Sequence, residues 1–510
     1  MKSNPGAKLA PPYFIGIDSG LTMIKAVIFT VDGKEVGSGH VMGTNTSPKP
    51  HWVERDMNSV WDWVCQAIRQ AIQTSGVSPK DIKAVSMAAH GDGAFLLDND
   101  LKPVRPAILS LDSRSSDLMD EWEKAGIIEK NMRISGQRPL VGSSLPVLAW
   151  MKRNEPENYA RVRWLLYCKD WIRFKLTGEV ATDFTESSST ATDVHTQMIE
   201  NTILRNSGLD EMVGKLPPVR MPFEPAGKVT RQAATETGLA EGTQVATGLH
   251  DIDSCAVSMG CLQPGQLSII SGTWGINQVV TTQPMIDPDW ICRNFIQPGY
   301  WLNCACSPAS AANLEWMVQN LCQGECEKAK LEKRSRFDFV NREVEEVLRE
   351  KTEVFFIPFL YGSPFGDKPS SCFIGIKGWH RRAHLLKAIY EGVVFNHKYH
   401  VDSLKKRCDF SEVRLSGGGA KSLIWSQLFA DALDVPIAIP DIDEAGALGA
   451  SLCAATSAGY YSSIEEAASA VVKITRTHTP NPERHAQLAE AYAKYSDIVK
   501  ALLPVWENIG

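Results

Sequence analysis

Residues 13–17 are a short apolar run that stops at Asp18-Ser19-Gly20; the run resumes at 26–31 and ends at Asp32-Gly33. Apolar runs this short, broken by a polar glycine, predict a strand, a tight loop and a second strand. Over 56–73 the period lengthens. Val60, Val64, Ala67, Ile68, Ala71 and Ile72 share one helical face and Gly76 lies just past the end, which predicts an amphipathic helix. Residues 82–88 read as a strand running into His90-Gly91-Asp92-Gly93, and strand ends of this kind in α/β sheets are where ligands sit. The opening pattern then returns. Apolar runs at 267–270 and 276–280 flank Ser271-Gly272-Thr273, and Gly272 follows Gly20 by about half the chain. Helical periodicity covers 384–400, 423–433, 445–455, 464–472 and 486–503, while a short strand at 413–415 leads into Ser416-Gly417-Gly418-Gly419. Gly446, Gly449 and their small neighbours allow close backbone approach in the 445–455 helix. Pro217, Pro218, Pro222 and Pro225 predict a rigid exposed connection and a hinge. The recurrence predicts two similar α/β halves with a cleft between them.

Composition narrows the classes. The 510 residues are roughly 3.4 times a ~150-residue unit, so two or three domains are expected. Hydrophobic residues at 44% and charged residues at 22% exclude a disordered chain or a rod. The net charge is −6, and no long run of Lys and Arg offers a track for nucleic acid. The first residues, MKSNPGAKLAPPYF, lack an apolar core, so no secretory signal is expected. Charge-free stretches at 254–286 and 294–314 are rich in Gly, Pro, Ser, Thr, Asn and Gln; a hydrocarbon core would reject them, so they read as buried strands and loops and no membrane is expected. Twelve cysteines without a disulfide rhythm suit a reducing cytoplasm. Cys304-x-Cys306 and Cys322-x3-Cys326 read as packed thiols, not a zinc site.

The usual nucleotide fingerprints are absent. There is no G-x4-G-K-[ST] and no G-x-G-x-x-G; in Gly417-Gly418-Gly419-Ala420-Lys421-Ser422, Ala420 separates Gly from Lys. Three glycine loops remain, at 18–22, 271–275 and 416–419. Each is either a plain turn or a cradle aiming N–H groups at phosphate oxygens. Asp18 is either a turn residue or a carboxylate orienting hydrated Mg²⁺. In Gly248-Leu249-His250-Asp251-Ile252-Asp253, either Asp is an N-cap or a proton acceptor kept ionised by the helix start. His380 and His384, like His397 and His400, have metal-like spacing, but Arg381 and Arg382 predict a solvated face for the first pair. Glu343, Glu345, Glu346 and Glu350 predict an exposed charged helix.

Taken in order, these segments resemble the FGGY carbohydrate kinases from residue 13 to about 455. Ile15-Gly16-Ile17-Asp18-Ser19-Gly20 and Lys25-Ala26-Val27-Ile28-Phe29 look like the family's first phosphate loop. His51-Trp52-Val53-Glu54-Arg55-Asp56 resembles its G-W-V-E-Q-D-P segment. Gly248-Leu249-His250-Asp251 resembles the segment holding the catalytic base, and Ser271-Gly272-Thr273 the second phosphate loop. Phe373-x-Gly375-Ile376 with His384-Leu385-x2-Ala388-Ile389-Tyr390-Glu391 fits the second family signature, and residues 416–422 look like the adenosine-side loop. Leu21 stands where Thr is usual, Val147 where Lys is usual, and Ser110-Leu111-Asp112-Ser113-Arg114 is W-x-D-x-R with Ser for Trp, which implies a reshaped sugar pocket. The wording is most similar to the L-xylulose kinase branch.

The resemblance implies two actin-like, ribonuclease H-like α/β domains facing a central cleft, 1–248 for the sugar and 249–510 for the nucleotide, with the terminal helices packing back on the first. It implies ATP-dependent phosphorylation of a primary hydroxyl on a small sugar, a ketopentose such as L-xylulose, in the cytoplasm, by a chain that allows a homodimer. Alternatives are a tetritol, ribulose or glycerol kinase, or an actin-like ATPase without a sugar acceptor. Asp251 is the implied base; His90, Gly91, Asp92, Asp112 and Arg114 would hold the sugar with it. Ser19, Gly20, Thr22, Lys25, Gly272, Thr273, Gly417, Gly418, Gly419 and Ser422 would bind the nucleotide, and Asp18 would hold Mg²⁺ through water.

Overall fold

Ser19 and Ile24 face each other across the first tight loop because Tyr13–Ser19 and Met23–Thr30 pair antiparallel around Gly20-Leu21-Thr22. The computed structural model describes residues 11–509; the expectation of no secretory leader falls on the first residues and lies outside the described ones. The chain divides into two compact units. The first holds the described residues up to Leu262 with Thr281–Leu302 and Glu444–Val472; the second holds Gln263–Val280, Asn303–Asp443 and the described residues from Lys473 onward.

In the first unit the sheet order is Pro225–Lys228, Gln244–Ala246, Ile82–Ala89, Tyr13–Ser19, Met23–Thr30, Glu35–Met42. Tyr13–Ser19 runs parallel to Ile82–Ala89, which runs parallel to Gln244–Ala246. Ile15, Ile17, Ile24, Ala26 and Ile28 are buried against Val60, Val64 and Ile68 of the helix Met57–Ser75. That helix starts where Asp56 accepts from the Ser59 N–H and stops at Gly76 in the left-handed region, as its cap residues predict. A second apolar cluster, with Leu96, Leu118, Trp122 and Leu148, supports residues 94–216.

The second unit repeats the plan. Gln266–Ser271 and Gly275–Thr281 form an antiparallel hairpin around Gly272-Thr273-Trp274, and Gln266–Ser271 is parallel to Glu412–Gly417, which is parallel to Ile437–Pro440. Both hairpins therefore occupy the same place in their sheets, and the return of the opening pattern is a real structural repeat.

Two expectations change. The single cut at 248/249 is replaced by an interleaved division: the helix Asp251–Ser258 and the helix Ala445–Ser457 both belong to the first unit, because Gly449 meets Ser254 so closely that a Cβ there would lie 2.1 Å from the Ser254 carbonyl oxygen. Of the terminal helices, Ile464–Val471 joins the first unit and Pro482–Ile509 the second. The proline segment is not a connection between units. Pro225 opens an edge strand that pairs with Gln244–Ala246, inside the first unit.

Candidate active site

Strand pairing places Asp251. Leu249 and His250 pair in parallel with Ala88 and Ala89, so the residues that follow, Asp251 and His90, emerge at the same sheet end. The helix Asp251–Ser258 starts at once. Asp251 Oδ1 accepts from the Ile252 N–H at 2.7 Å and lies 3.0 Å from His250 Nδ1. Burial pushes its pKa up, but His250, His90 and the Ile252 N–H together hold the carboxyl below its ordinary value. Its side chain is 36% exposed. Asp253 is the opposite case: 2% exposed, with Oδ1 unpartnered, and pushed by burial to about 8. Two acids in one hexapeptide are driven apart, one ionised and reachable, the other buried and protonated.

Behind Asp251 lies a buried network that no motif marks. Arg293, on the strand Ile291–Asn294, brings Nη1 within 3.1 Å of His250 Nε2, Nε to Gln137 Oε1 at 2.9 Å and Nη2 to Asp92 Oδ2 at 3.1 Å. Burial lowers the basicity of His250, but Glu186 and Asp251 raise it by more. The Asp92 N–H donates to Glu186 Oε1 at 3.3 Å; Glu186 Oε2 has no partner, and burial pushes this carboxyl to about 7. Only glycine fits at 91, where a Cβ would lie 1.9 Å from His250 Nε2. Deeper still, Lys169 pairs with Asp170 at 2.8 Å and with Asp183 at 2.7 Å. Asp183 accepts from Thr185 Oγ1 at 2.6 Å, and that hydroxyl oxygen accepts from the His250 N–H at 2.9 Å. A buried charge cluster thus anchors the backbone that carries the acid.

His90 is 3% exposed, and neither ring nitrogen has a partner; burial lowers its pKa to about 4, so the ring is neutral. Arg114 is fixed by the segment His51–Asp56 taken residue by residue. Trp52 lies 3.9 Å under its guanidinium, the Val53 N–H donates to Asp112 Oδ2 at 2.6 Å, and Glu54 accepts from Arg114 Nη2 at 2.7 Å. Asp112 takes Arg114 Nε at 2.8 Å and Nη2 at 2.7 Å. Both oxygens of Asp112 are therefore occupied by the protein, unlike a carboxylate kept for a sugar; the atom left buried without a partner is Arg114 Nη1. Asp112 thus holds Arg114 in place, and Arg114 Nη1 is the atom of the pair without a protein partner.

In the first loop, Arg55 donates to the Gly20 and Leu21 carbonyls at 3.4 and 2.5 Å, so this buried cation sets the loop's shape. The Ser19 hydroxyl faces inward, 3.5 Å from Cys168 Sγ, which leaves the Thr22 side of the loop exposed. Asp18 sits opposite Lys25 in the hairpin register, and Lys25 pairs with Glu444 at 2.7 Å. Burial pushes the Asp18 carboxyl up to about 7 against the opposing pull of Lys25. Gly446 makes room for it: a Cβ would lie 2.6 Å from Asp18 Oδ2. A carboxylate costly to ionise alone suits a nearby cation, and Asp18 would hold Mg²⁺ through water; among the described residues no cluster of three or more acidic, His or Cys side chains could ligate a metal directly.

The second unit holds a cavity of about 580 Å³ lined by Gly272, Thr273, Gly418 and Ser422, with apolar walls from Leu314 and Phe337. Tyr390 and Trp425, stacked 4.4 Å apart, line it too. No protein atom lies closer than 3.7 Å to a Cβ built at Gly272, so protein packing alone does not require glycine there. Gly417, at φ 86°, and Gly419 instead let the strand end press on Ser271: their Cβ atoms would lie 2.5 Å from its carbonyl oxygen and 2.8 Å from its hydroxyl. Ser422 caps the helix Leu423–Leu433 through the Trp425 N–H and donates to Asn341 at 2.7 Å. His397, also of this unit, lies under Gly275 and bonds Ser310 and Asn277 at 3.0 and 2.8 Å, so it is a core group. His380 and His384 lie beside Glu353 and Glu350, and their side chains are only 2% and 13% exposed, so the solvated face expected there is carried by Arg381 and Arg382 and not by the imidazoles. No helix among the described residues is long and apolar enough to cross a membrane.

Comparison with known proteins agrees with this anatomy. Residues 13–258 match the N-terminal domain of the FGGY family of carbohydrate kinases, and residues 267–458 match its C-terminal domain. The chain is 35% identical over 499 residues to the probable L-xylulose kinase of Pasteurella multocida (strain Pm70), covering 96% of this chain and 99% of the relative. It is 33% identical over 497 residues to the L-xylulose/3-keto-L-gulonate kinase of Escherichia coli (strain K12), covering 96% and 97%. The crystal structure of a ligand-bound xylulose kinase from Lactobacillus acidophilus shares the actin-like fold at a TM-score of 0.87 and 21% identity, over 98% of this chain and 100% of the other. The two repeated α/β units, the full-length likeness and both family domains lead to one conclusion: this chain belongs to the FGGY family of carbohydrate kinases, and it is a sugar phosphotransferase that uses ATP.

Proposed function

We propose that the protein transfers the γ-phosphoryl group of ATP to a primary hydroxyl of a ketopentose of the L-xylulose type, with Asp251 as the base. The observation that carries this reading is the contrast between Asp251, ionised and reachable, and Asp253, buried and protonated. The acceptor hydroxyl gives its proton to Asp251 as its oxygen bonds to the γ-phosphorus, and the bond from that phosphorus to the β–γ bridging oxygen breaks to release ADP. Such transfers pass through loose transition states, so the residues act by positioning and by charge. His90 and Arg114 Nη1, both buried without protein partners, hydrogen-bond the sugar hydroxyls, with Asp92 alongside. ATP occupies the cavity of the second unit, its adenosine against Tyr390 and Trp425 and its phosphates at Gly272 and Thr273, where an absent Cβ leaves room. Asp18 would hold Mg²⁺ through water, and the ion would supply charge neutralisation for the phosphates.

The names of the two L-xylulose kinase relatives support the ketopentose. An ATP-coupled screen of ADP release tests it over L- and D-xylulose, L- and D-ribulose, 3-keto-L-gulonate, tetritols and glycerol. L-xylulose is expected to give the highest kcat/KM, and EDTA is expected to abolish turnover until Mg²⁺ is restored. Turnover without any sugar, or a clear preference for glycerol or a tetritol, overturns the assignment.

A further inference from the structure

His250 has two hydrogen-bonding choices at one nitrogen. Its Nδ1 lies 3.0 Å from Asp251 Oδ1, where it must donate, and 3.3 Å from the Ile252 N–H, where it must accept. The Glu186 and Asp251 charges favour a second proton on this ring, but a doubly protonated ring would point its Nε2–H at the donor-only Arg293 guanidinium 3.1 Å away; that contact needs the neutral imidazole, which does one or the other according to its tautomer. The second choice turns a lone pair toward the Asp251 carboxylate and weakens its hold on the charge. Nothing in the peptide 248–253 decides between them.

Arg293 does. Its guanidinium only donates, and Nη1 stands 3.1 Å from His250 Nε2, so Nε2 accepts and the ring hydrogen is left on Nδ1. The other arms of the fork are held by Gln137 and Asp92, and the residue is 5% exposed. A planar fork with three partners from separate segments has little freedom to turn. We infer that Arg293 is a positioning residue for phosphoryl transfer: it fixes the His250 tautomer whose Nδ1–H faces Asp251, and it ties that ring to Asp92 on the acceptor side. The inference rests on the reading of Asp251 as the base.

The test is a double-mutant cycle in the full-length enzyme. His250→Asn keeps an N–H donor near the Nδ1 position and has nothing for Arg293 to touch. Arg293→Met is expected to lower kcat by ~30–100-fold with KM for ATP unchanged, since it disturbs the base, whose own contribution is at least ~100-fold. In the His250→Asn background the same change is expected to cost less than about 3-fold. Arg293→Lys, which still donates to Nε2, is expected to recover about ten-fold over Arg293→Met. An equal loss in both backgrounds, or a raised KM for sugar with normal kcat, overturns the inference. Should Arg293→Met fail to fold, ¹⁵N spectra of labelled histidine in the wild-type enzyme decide it: the Nδ1–H tautomer is expected at His250, and the Nε2–H tautomer or a doubly protonated ring overturns it. Near-normal turnover of Asp251→Asn removes the base reading instead and leaves the tautomer result standing.

Discussion

Asp251 and Asp253 share one turn of helix, and their surroundings assign them opposite protonation states. Asp251→Asn is therefore expected to lower kcat by at least ~100-fold with KM for sugar within a few-fold, while Asp253→Asn, an isostere of a protonated acid, stays within about 3-fold of wild type. Steady-state kinetics on both variants check the pair, and the reverse ranking would transfer the role to Asp253. Gly446 is the second residue with a sharp requirement, because its missing Cβ is the space Asp18 occupies. Gly446→Ala is expected to lower kcat by ~10-fold or more and raise the Mg²⁺ concentration needed for half-maximal rate, since a displaced carboxylate positions its cation poorly. A Mg²⁺ titration of the variant is the measurement. Asp18, Asp251 and His90 were legible as candidates because each sits beside a glycine break or a strand end, and Arg114 only through the likeness of residues 110–114 to W-x-D-x-R. Arg293, Glu186 and Gln137 were not, since their only signal is proximity across 43 to 201 positions of chain.

At the scale of elements, the helix Ala445–Ser457 decides how the site is supported. Gly16 on the first strand and Gly449 on the helix have no space for a Cβ: one would lie 1.7 Å from the Ala447 carbonyl oxygen, the other 2.1 Å from that of Ser254. Gly449→Val is expected to push this helix off the helix Asp251–Ser258, lowering both melting temperature and kcat, because overpacking costs about 1–3 kcal/mol. Unchanged kcat with a lowered melting temperature would separate packing from the site. The helix Met57–Ser75 offers a control: Asp56→Ala removes its cap at a cost of ~1 kcal/mol, and urea unfolding is expected to show that loss with unaltered KM for ATP. Both helices were readable, one from its apolar period and caps, the other from its small residues. The partner of the second helix was not, because glycine spacing marks close approach without saying to what.

Across the whole molecule, buried groups set the pH dependence of stability. Glu186 and Asp253, pushed to about 7 and about 8, hold protons that the unfolded chain has released above its ordinary carboxyl pKa. Their contribution is thus present at low pH and lost as pH rises through the folded values. His90, lowered to about 4, and His397, lowered to about 3, act in the opposite sense and only below about 6.5, where the unfolded chain takes protons that the folded one refuses. Between pH 6.5 and 8 the carboxyls alone of these four change, at about 1–2 kcal/mol each. The melting temperature of the ligand-free protein is expected to fall over that range, and Asp253→Asn to fall less; a flat or rising curve contradicts the protonated Asp253. By itself the amino-acid order determined the strands, the two glycine hairpins, their repetition and the family, because these depend on short-range period and on residues adjacent in the chain. Tertiary structure alone decided that the units interleave, that Asp112 serves Arg114, that Asp251 rather than Asp253 is ionised, and that Arg293 stands behind His250. Burial and charge come from residues brought together by the sheet, and a linear pattern carries no record of which distant segment will exclude water from a given side chain.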